Sequence, residues 1–267
     1  MSGFGELKER YEQLTEISSI LNAMKTLSLV ETKKLTRFIS SQRLMLSNIE
    51  AATADFSAFY PIACDDTHGT AIVIAVGSER GFCGNFNERI HEAYETRFGK
   101  SPQNVHLIIV GNRLRIKFEG YTGKIDFLEG ATVAEDVPHV IDRLMDTLQG
   151  ASALYVLAHE AEGESVLKRL LPFEPPKMPI ASTPPLLQLL PGDFLVQMLD
   201  QYLLSVLYGL LYESLLSESR QRLAHMEQAL KRLEQSLSEL SLKRNALRQE
   251  KIIEEIEVIL SGRLSLI

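Results

Sequence analysis

The stretch LAHMEQALKRLEQSLSELSLKRNALRQEK (Leu223–Lys251) places its apolar residues in alternating steps of three and four. These residues are Leu223, Met226, Leu230, Leu233, Leu237, Leu240 and Leu247. Such a heptad seam predicts a helix that packs lengthwise against a partner helix. Arg244 and Lys251 occupy two further seam positions. Either their aliphatic stems cover the seam while their charges stay in water, or this part of the helix faces an acidic partner protein.

A second long helix is predicted at the other end of the chain. No proline occurs between Gly5 and Phe59, or between Asp193 and Ser261. In the first of these segments, one helical face carries Leu7, Tyr11, Leu14, Ile17, Leu21, Met24 and Leu27. We therefore expect residues 1–60 and 193–267 to form an antiparallel coiled coil.

The middle of the chain alternates between strand-like and helix-like segments. Strands are predicted at Thr70–Val76, Val105–Val110, Ile125–Leu128 and Ala153–Ala158, and helices at Asn85–Phe98, Asn112–Phe118 and Glu135–Leu148. This order predicts a Rossmann-like α/β domain with a largely parallel sheet over residues 61–192. Its last part, from Leu170 to Pro191, holds seven of the ten prolines and is predicted to be a linker that returns to the second long helix.

Composition narrows the class of protein. The 267 residues carry a net charge of −7, which argues against nucleic acid as the main partner. Two cysteines, Cys64 and Cys83, provide no disulfide framework and suit a reducing compartment. No apolar run approaches eighteen residues, and the N-terminus is charged from Glu6 onward, so neither a membrane span nor a secretory signal is predicted.

The stretch AIVIAVGSERGFCGNFNERI (Ala71–Ile90) resembles an enzyme loop but lacks the residues that such loops need. A phosphate loop requires a Lys-Ser/Thr pair, which does not follow Gly84. A thiol nucleophile at Cys83 requires a base, and the sequence places none beside it. We predict a structural strand-to-helix turn built by Gly81, Cys83 and Gly84, with no catalytic residue, metal or cofactor.

Five segments of the chain carry a family resemblance. They are SERGFCGNFN (Ser78–Asn87), NAMKTL (Asn22–Leu27), IVGNR (Ile109–Arg113), ESRQRLAHMEQA (Glu218–Ala229) and LSLKRNALRQEKIIEEIEVILSG (Leu240–Gly262). The first closely resembles the S-D-R-G-L-C-G-x-x-N signature of the gamma subunit of F-type ATP synthases. The others are similar to further motifs of that family, in the same order along the chain.

The resemblance implies a non-catalytic rotor subunit, present once per complex. In that family the paired terminal helices turn inside a ring of alpha and beta subunits, and the α/β domain contacts the epsilon subunit and the membrane rotor ring (c ring). It further implies a peripheral membrane protein on the cytoplasmic face of a bacterial inner membrane. Family positions that suggest contacts with partner subunits are Met24, Lys25, Lys33, Lys34, Arg222, Arg248, Gln249 and Glu255.

Some positions depart from the family pattern. Arg244 and Ile253 replace the usual Tyr and Thr, Ser28–Val30 replaces Ala-Ala-Ser, and Glu31 replaces a Lys. These changes suggest a divergent or accessory form of the subunit. Two other classes of function stay open at this point: a nucleotide-binding or thiol enzyme that uses the Gly81–Gly84 loop, and a coiled-coil scaffold without a rotary role.

Overall fold

The computed structural model of the chain describes residues 2–60, 70–99, 104–148, 151–175 and 183–264. Its helices are α1 (Ser2–Phe59), α2 (Phe86–Phe98), α3 (Asn112–Arg115), α4 (Val137–Thr147) and α5 (Pro191–Leu264). Its strands are β1 (Ala71–Val76), β2 (Val105–Val110), β3 (Lys124–Leu128), β4 (Ala153–His159) and β5 (Ser165–Leu171). Short 3₁₀ turns at Ile116–Phe118 and Ala134–Asp136 follow α3 and precede α4. The predicted α/β fold with long terminal helices is confirmed.

The five strands form one sheet in the order β3-β2-β1-β4-β5. The first four are mutually parallel, so that Ile74 of β1 lies beside Ile108 of β2 and Val156 of β4. This arrangement confirms the largely parallel sheet. Strand β5 is antiparallel to β4 and was not predicted. The predicted linker started too early, because Leu170 lies within β5 and is buried.

Both faces of the sheet are covered, as alternate residues of β1 show. Ile72 and Ile74 point into a core completed by α4 and by parts of α1 and α5. Val73 and Ala75 point to the opposite side, into a core completed by α2 and α3. A strand buried on both faces requires a continuous apolar run, and this explains the sequence of β1.

Two compact units make up the chain: Met1–Leu27 with Leu223–Ile267, and Ser28–Arg222. The second unit contains the sheet together with the adjoining parts of α1 and α5. The segment boundaries predicted at 60/61 and 192/193 stay a prediction about chain organisation. The compact units cut across those boundaries, because long helices contribute to more than one core.

In the first unit, α1 and α5 run antiparallel. The Arg244 guanidinium lies 4.7 Å from the centre of the Tyr11 ring, and Lys25 Nζ lies 3.1 Å from Glu227 Oε1. Residue numbers therefore increase along α1 while they decrease along the part of α5 that it contacts, as in an antiparallel pair. The best-buried part of the seam lies near the second of these contacts and consists of Leu21, Met24, Met226, Ala229, Leu230 and Leu233. Arg244 therefore lies over the Tyr11 ring, a cation–π contact that neither interpretation of this position included, and a contact with an acidic partner protein stays a prediction.

The predicted apolar face of α1 needs one correction. Ile17 and Leu27 are 45% and 67% exposed, whereas Ser18 is half-buried. A two-helix seam follows a 3.5-residue period, which leads from Leu14 to position 18 rather than 17. The register of the pair therefore places a serine in the seam and leaves two apolar side chains in solvent. On α5, Lys251 is exposed.

Within the described part of the chain, α5 alone is long enough and apolar enough over eighteen residues to cross a membrane by composition. One third of that window is buried in the protein. Buried residues of α5 such as Leu207 and Leu210 pack in the sheet core. Helices of soluble cores have the same composition, so this feature is weak support for a membrane span.

Candidate functional site

The loop between β1 and α2 contains two residues with left-handed backbone and passes close to α3. Phe82 and Gly84 both adopt left-handed backbone conformations, with φ of 63° and 60°. A Cβ atom on Gly77 would lie 2.2 Å from Leu114 Cβ, so only glycine allows this close approach to α3. The predicted structural turn therefore has a steric cause at Gly77 and a conformational cause at Gly84.

Three polar side chains tie the loop to the start of α2. The Ser78 backbone N–H donates to Asn87 Oδ1 at 2.9 Å, and Asn87 Nδ2 donates to Ser78 Oγ at 2.8 Å. The Cys83 thiol donates to the same hydroxyl oxygen at 3.2 Å. Burial raises the pKa of the Cys83 thiol, and only 4% of this residue is exposed. A buried neutral thiol is a structural group rather than a nucleophile.

The carboxylate of Glu79 occupies the position where the carboxyl ends of β1, β2 and β3 meet. It accepts hydrogen bonds from the backbone N–H groups of Asn112 at 3.0 Å and Gly130 at 2.8 Å, and from the Asn112 side-chain amide. Open α/β sheets bind anionic ligands at this edge. Here the protein's own carboxylate uses these donors.

A buried ion pair closes the other side of the loop. Arg222 of α5 pairs with Glu218 one turn earlier, and its Nε donates to the Gly81 carbonyl oxygen at 3.2 Å. Both side chains are less than 10% exposed. Burial raises the pKa of Glu218 to about 7, although the Arg222 charge and hydrogen bond act in the opposite direction.

His159, the last residue of β4, is fully buried and contacts the start of α2. Its Nε2 lies 2.9 Å from the Phe86 carbonyl oxygen, and its Nδ1 lies 3.1 Å from that of Gly163. The imidazole packs against the Phe86 ring, with centroids 4.0 Å apart and ring planes inclined by 40°. Burial lowers the pKa of His159. In this fold class ligands usually bind at the carboxyl ends of the strands, and here His159, at the carboxyl end of β4, is held by contacts within the protein.

The predicted contact residues fall into two groups. Four of them have partners within the chain: Met24 packs in the helix seam, Lys25 pairs with Glu227, Lys34 pairs with Glu135, and Arg222 pairs with Glu218. The others, Lys33, Arg248, Gln249 and Glu255, are exposed. The structure does not bring all eight residues together, and their contacts with partner subunits stay a prediction.

The junction consists of the Ser78–Asn87 loop, which includes Glu79, and the side chains that contact it, Glu218, Arg222 and His159. Sequence reasoning missed Glu79, Glu218 and His159 as parts of it. The i, i+4 spacing of Glu218 and Arg222 was a usable signal, since it places the two charges on one helical face. The contact of Glu79 with Gly130 gave no such signal, because it joins loops that are distant in sequence. Among the described residues, no group of three or more His, Cys, Asp or Glu side chains is arranged to hold a metal.

A Cys83→Ser substitution tests the structural role of the thiol. We expect the free energy of unfolding to fall by about 1 kcal/mol, because a small buried side chain becomes more polar while the Ser78 contact is retained. In the ATP synthase complex that the family resemblance implies, the ATPase rate with this variant should stay close to that with the wild type. A hundredfold loss of turnover in a folded, assembled variant would instead make the thiol functional.

Comparison with known proteins gives a consistent result over almost the whole length. Residues 4–266 match the sequence profile of the family described as ATP synthase. The ATP synthase gamma chain of Pelotomaculum thermopropionicum is 22% identical over 285 residues, with 100% of both chains covered. That of Clostridium acetobutylicum is 25% identical over 292 residues, with 98% of each chain covered.

Solved structures share the fold. A rotor chain of the Euglena gracilis mitochondrial ATP synthase superposes with a TM-score of 0.62 at 16% identity, covering 93% of this chain and 98% of that one. A chain from the central stalk and c ring of the Tetrahymena thermophila mitochondrial ATP synthase gives a TM-score of 0.53, also at 16% identity, covering 79% of this chain and 99% of that one.

Proposed function

This chain belongs to the ATP synthase family as a gamma subunit, the central-stalk rotor of an F-type complex, and we propose that its terminal helices are the non-catalytic shaft that couples ion flow to ATP chemistry. The shaft turns within a ring of alpha and beta subunits that holds the nucleotide sites. Its orientation shifts the open–closed equilibrium of each site through contacts that differ from one beta subunit to the next.

One observation carries the proposal: α1 and α5 pair antiparallel along a heptad seam. Met226 and Leu230 are 0% and 5% exposed in this seam, and Arg244 caps it by stacking on Tyr11. A shaft must resist twisting, and interlocked side chains on two helices provide that resistance. Because both helices belong to a single chain, the pair has no threefold symmetry and presents different faces to three equivalent neighbours.

The junction around Cys83 supports a non-catalytic role for the subunit itself. Its carboxylate, thiol, amide and guanidinium groups all have hydrogen-bond partners within the chain, and the backbone N–H donor of Gly130 is used by Glu79. A nucleotide would have to displace these internal partners. We therefore assign ATP synthesis and hydrolysis to the surrounding ring.

The partners in this proposal are the alpha and beta subunits, the epsilon subunit and the membrane rotor ring, with one copy of this chain per complex. The similar Tetrahymena chain comes from a structure of a central stalk with its c ring, which supports the last of these. The curated relatives are bacterial, so we place the subunit on the cytoplasmic face of a bacterial inner membrane, within the membrane-associated complex.

Purification tests the proposed role against its two alternatives. We expect the tagged chain, expressed in its host, to purify together with alpha and beta subunits. The isolated chain should show no saturable ATP binding by calorimetry and no ATP hydrolysis, since its junction groups are already paired. Micromolar affinity of the isolated chain for ATP would favour an enzyme, and purification without alpha and beta subunits would favour a scaffold.

A further inference from the structure

A cavity of about 180 Å³ lies between α1, α5 and β5, within the unit that contains the sheet. Aliphatic side chains such as Ile39 and Leu210 form its apolar wall, and Gln42 and Lys168 are among its polar lining residues. Closed apolar cavities of about 150 Å³ bind molecules the size of benzene, and this cavity, although partly open to solvent, has a similar volume. This cavity therefore has room for a ligand with a single ring or a short branched chain.

Gly209 opens the cavity on the α5 side. It lies in the interior of a 74-residue helix, where glycine is less favourable than alanine. A Cβ atom at this position would meet no atom within 4 Å, and the backbone does not require glycine there. A side chain would fit at this position without a clash. Because Gly209 has none, the space beside the cavity wall stays open.

Two polar groups at the cavity lack partners among the described residues. The buried Gln42 Oε1 accepts no hydrogen bond, although a buried acceptor normally has a donor. Lys168 is half-buried and forms no ion pair with a described residue. Arg43 also lines the cavity, but it donates from Nε and Nη2 to Glu213 Oε1 at 3.1 and 2.7 Å. With two cations and one carboxylate, the lining carries a net positive charge.

We propose that this cavity binds a small amphipathic carboxylate, about the size of benzoate, that carries one O–H or N–H donor. The carboxylate pairs with Lys168, the apolar body fills the space beside Gly209, and the donor satisfies Gln42 Oε1. The ligand thus supplies an ion-pair partner for Lys168, apolar atoms for the space beside Gly209 and a hydrogen-bond donor for Gln42 Oε1.

Other ligand classes fit less well. A divalent cation would meet two positive side chains and a single carboxylate, Glu213, that is already paired with Arg43. A nucleotide is larger than the cavity and would leave its apolar wall in contact with charged phosphates. A neutral apolar molecule would leave both Lys168 and the Gln42 oxygen without partners.

The test uses the full-length chain and 4-hydroxybenzoate as the probe, with binding measured by calorimetry. We expect saturable binding with a dissociation constant of about 1 mM, which is typical for a ligand with so few atoms. Lys168→Met should raise the dissociation constant at least tenfold. 4-Methylphenol, which lacks the carboxylate, and 4-methylbenzoate, which lacks the donor, should both bind more weakly than the probe.

Gly209→Leu is the decisive variant, because its side chain would fill the cavity in a helix that favours leucine. It should abolish binding while the melting transition is kept. Gly192→Leu, also in α5 with no atom within 4 Å of the added Cβ and outside the cavity lining, is the matched control and should bind like the wild type. Absence of saturable binding to the wild type, or equal binding by Gly209→Leu or Lys168→Met, would overturn the proposal.

Discussion

Leu230→Asp should separate the two helices of the shaft. Leu230 is 5% exposed and packs beside Leu21 and Met226, so the substitution places an unpaired carboxylate in an apolar seam. We expect the free energy of unfolding to fall by about 4 kcal/mol, because a buried charge without a partner is strongly destabilising. Hydrogen exchange should show lost protection over residues 5–27 and 223–247, while the strands of the sheet stay protected. A complex assembled with this variant should no longer couple ATP hydrolysis to ion transport.

Leu242→Asp is the matched control for that experiment. Leu242 lies on the same helix and is 69% exposed, so the same chemical change there meets water. Its effect on stability should stay within about 0.5 kcal/mol, as is usual for surface positions. Equal losses of protection in the two variants would show that the seam does not hold α1 and α5 together.

Arg222→Met should have a comparably large effect on the sheet-containing unit. The substitution leaves Glu218 buried without its positive partner and removes the hydrogen bond to the Gly81 carbonyl oxygen. Removing one partner of a buried ion pair costs about 3–5 kcal/mol. Urea unfolding should show this loss at pH 8. Arg220→Met is the control, since Arg220 is exposed and the one hydrogen-bond acceptor that it has within the described part of the chain is the Ala161 carbonyl oxygen.

The pH dependence of this variant follows from Glu218. Burial already raises the pKa of its carboxyl to about 7, and the Arg222 charge that lowers it is gone in Arg222→Met. A carboxyl whose pKa is raised in the folded state stabilises the protein while protonated, so stability is lost as pH rises. Arg222→Met should therefore be closer to the wild type at pH 5 than at pH 8. Adding Glu218→Gln should remove this pH dependence and restore part of the lost stability. If the stability lost in Arg222→Met changed neither with pH nor on adding Glu218→Gln, the ion-pair account would be contradicted.

Features with a local period could be predicted from the sequence. The seam of α5 from Leu223 to Leu247 and the apolar run of β1 follow from side chains a few residues apart, and the structure buries or half-buries them as expected. The error at Ile17 and Leu27 has a different origin. Several helical faces of α1 carry apolar residues, and only the register against α5 decides which face is used.

Features that depend on distant contacts could not be predicted. Strand β5 mixes half-buried apolar residues with Lys168 and Arg169, and its pairing with β4 is what identifies it as a strand. The junction at Cys83 depends on Arg222, which reaches the Gly81 carbonyl across 141 positions of sequence. The loop sequence therefore predicts a turn, but it does not predict the groups that close it.

A reversible cross-link between the shaft and a beta subunit tests the central claim most directly. Gln249 is exposed on α5, and Gln249→Cys provides the shaft half of a disulfide in complexes whose native cysteines have been replaced. Complexes that carry this cysteine without its beta-subunit counterpart are the control and should keep their activity on oxidation. With both cysteines present, oxidation should stop ATP hydrolysis and ion transport, and reduction should restore both. If the cross-linked complexes kept hydrolysing ATP at full speed while pumping ions, the shaft would not need to turn.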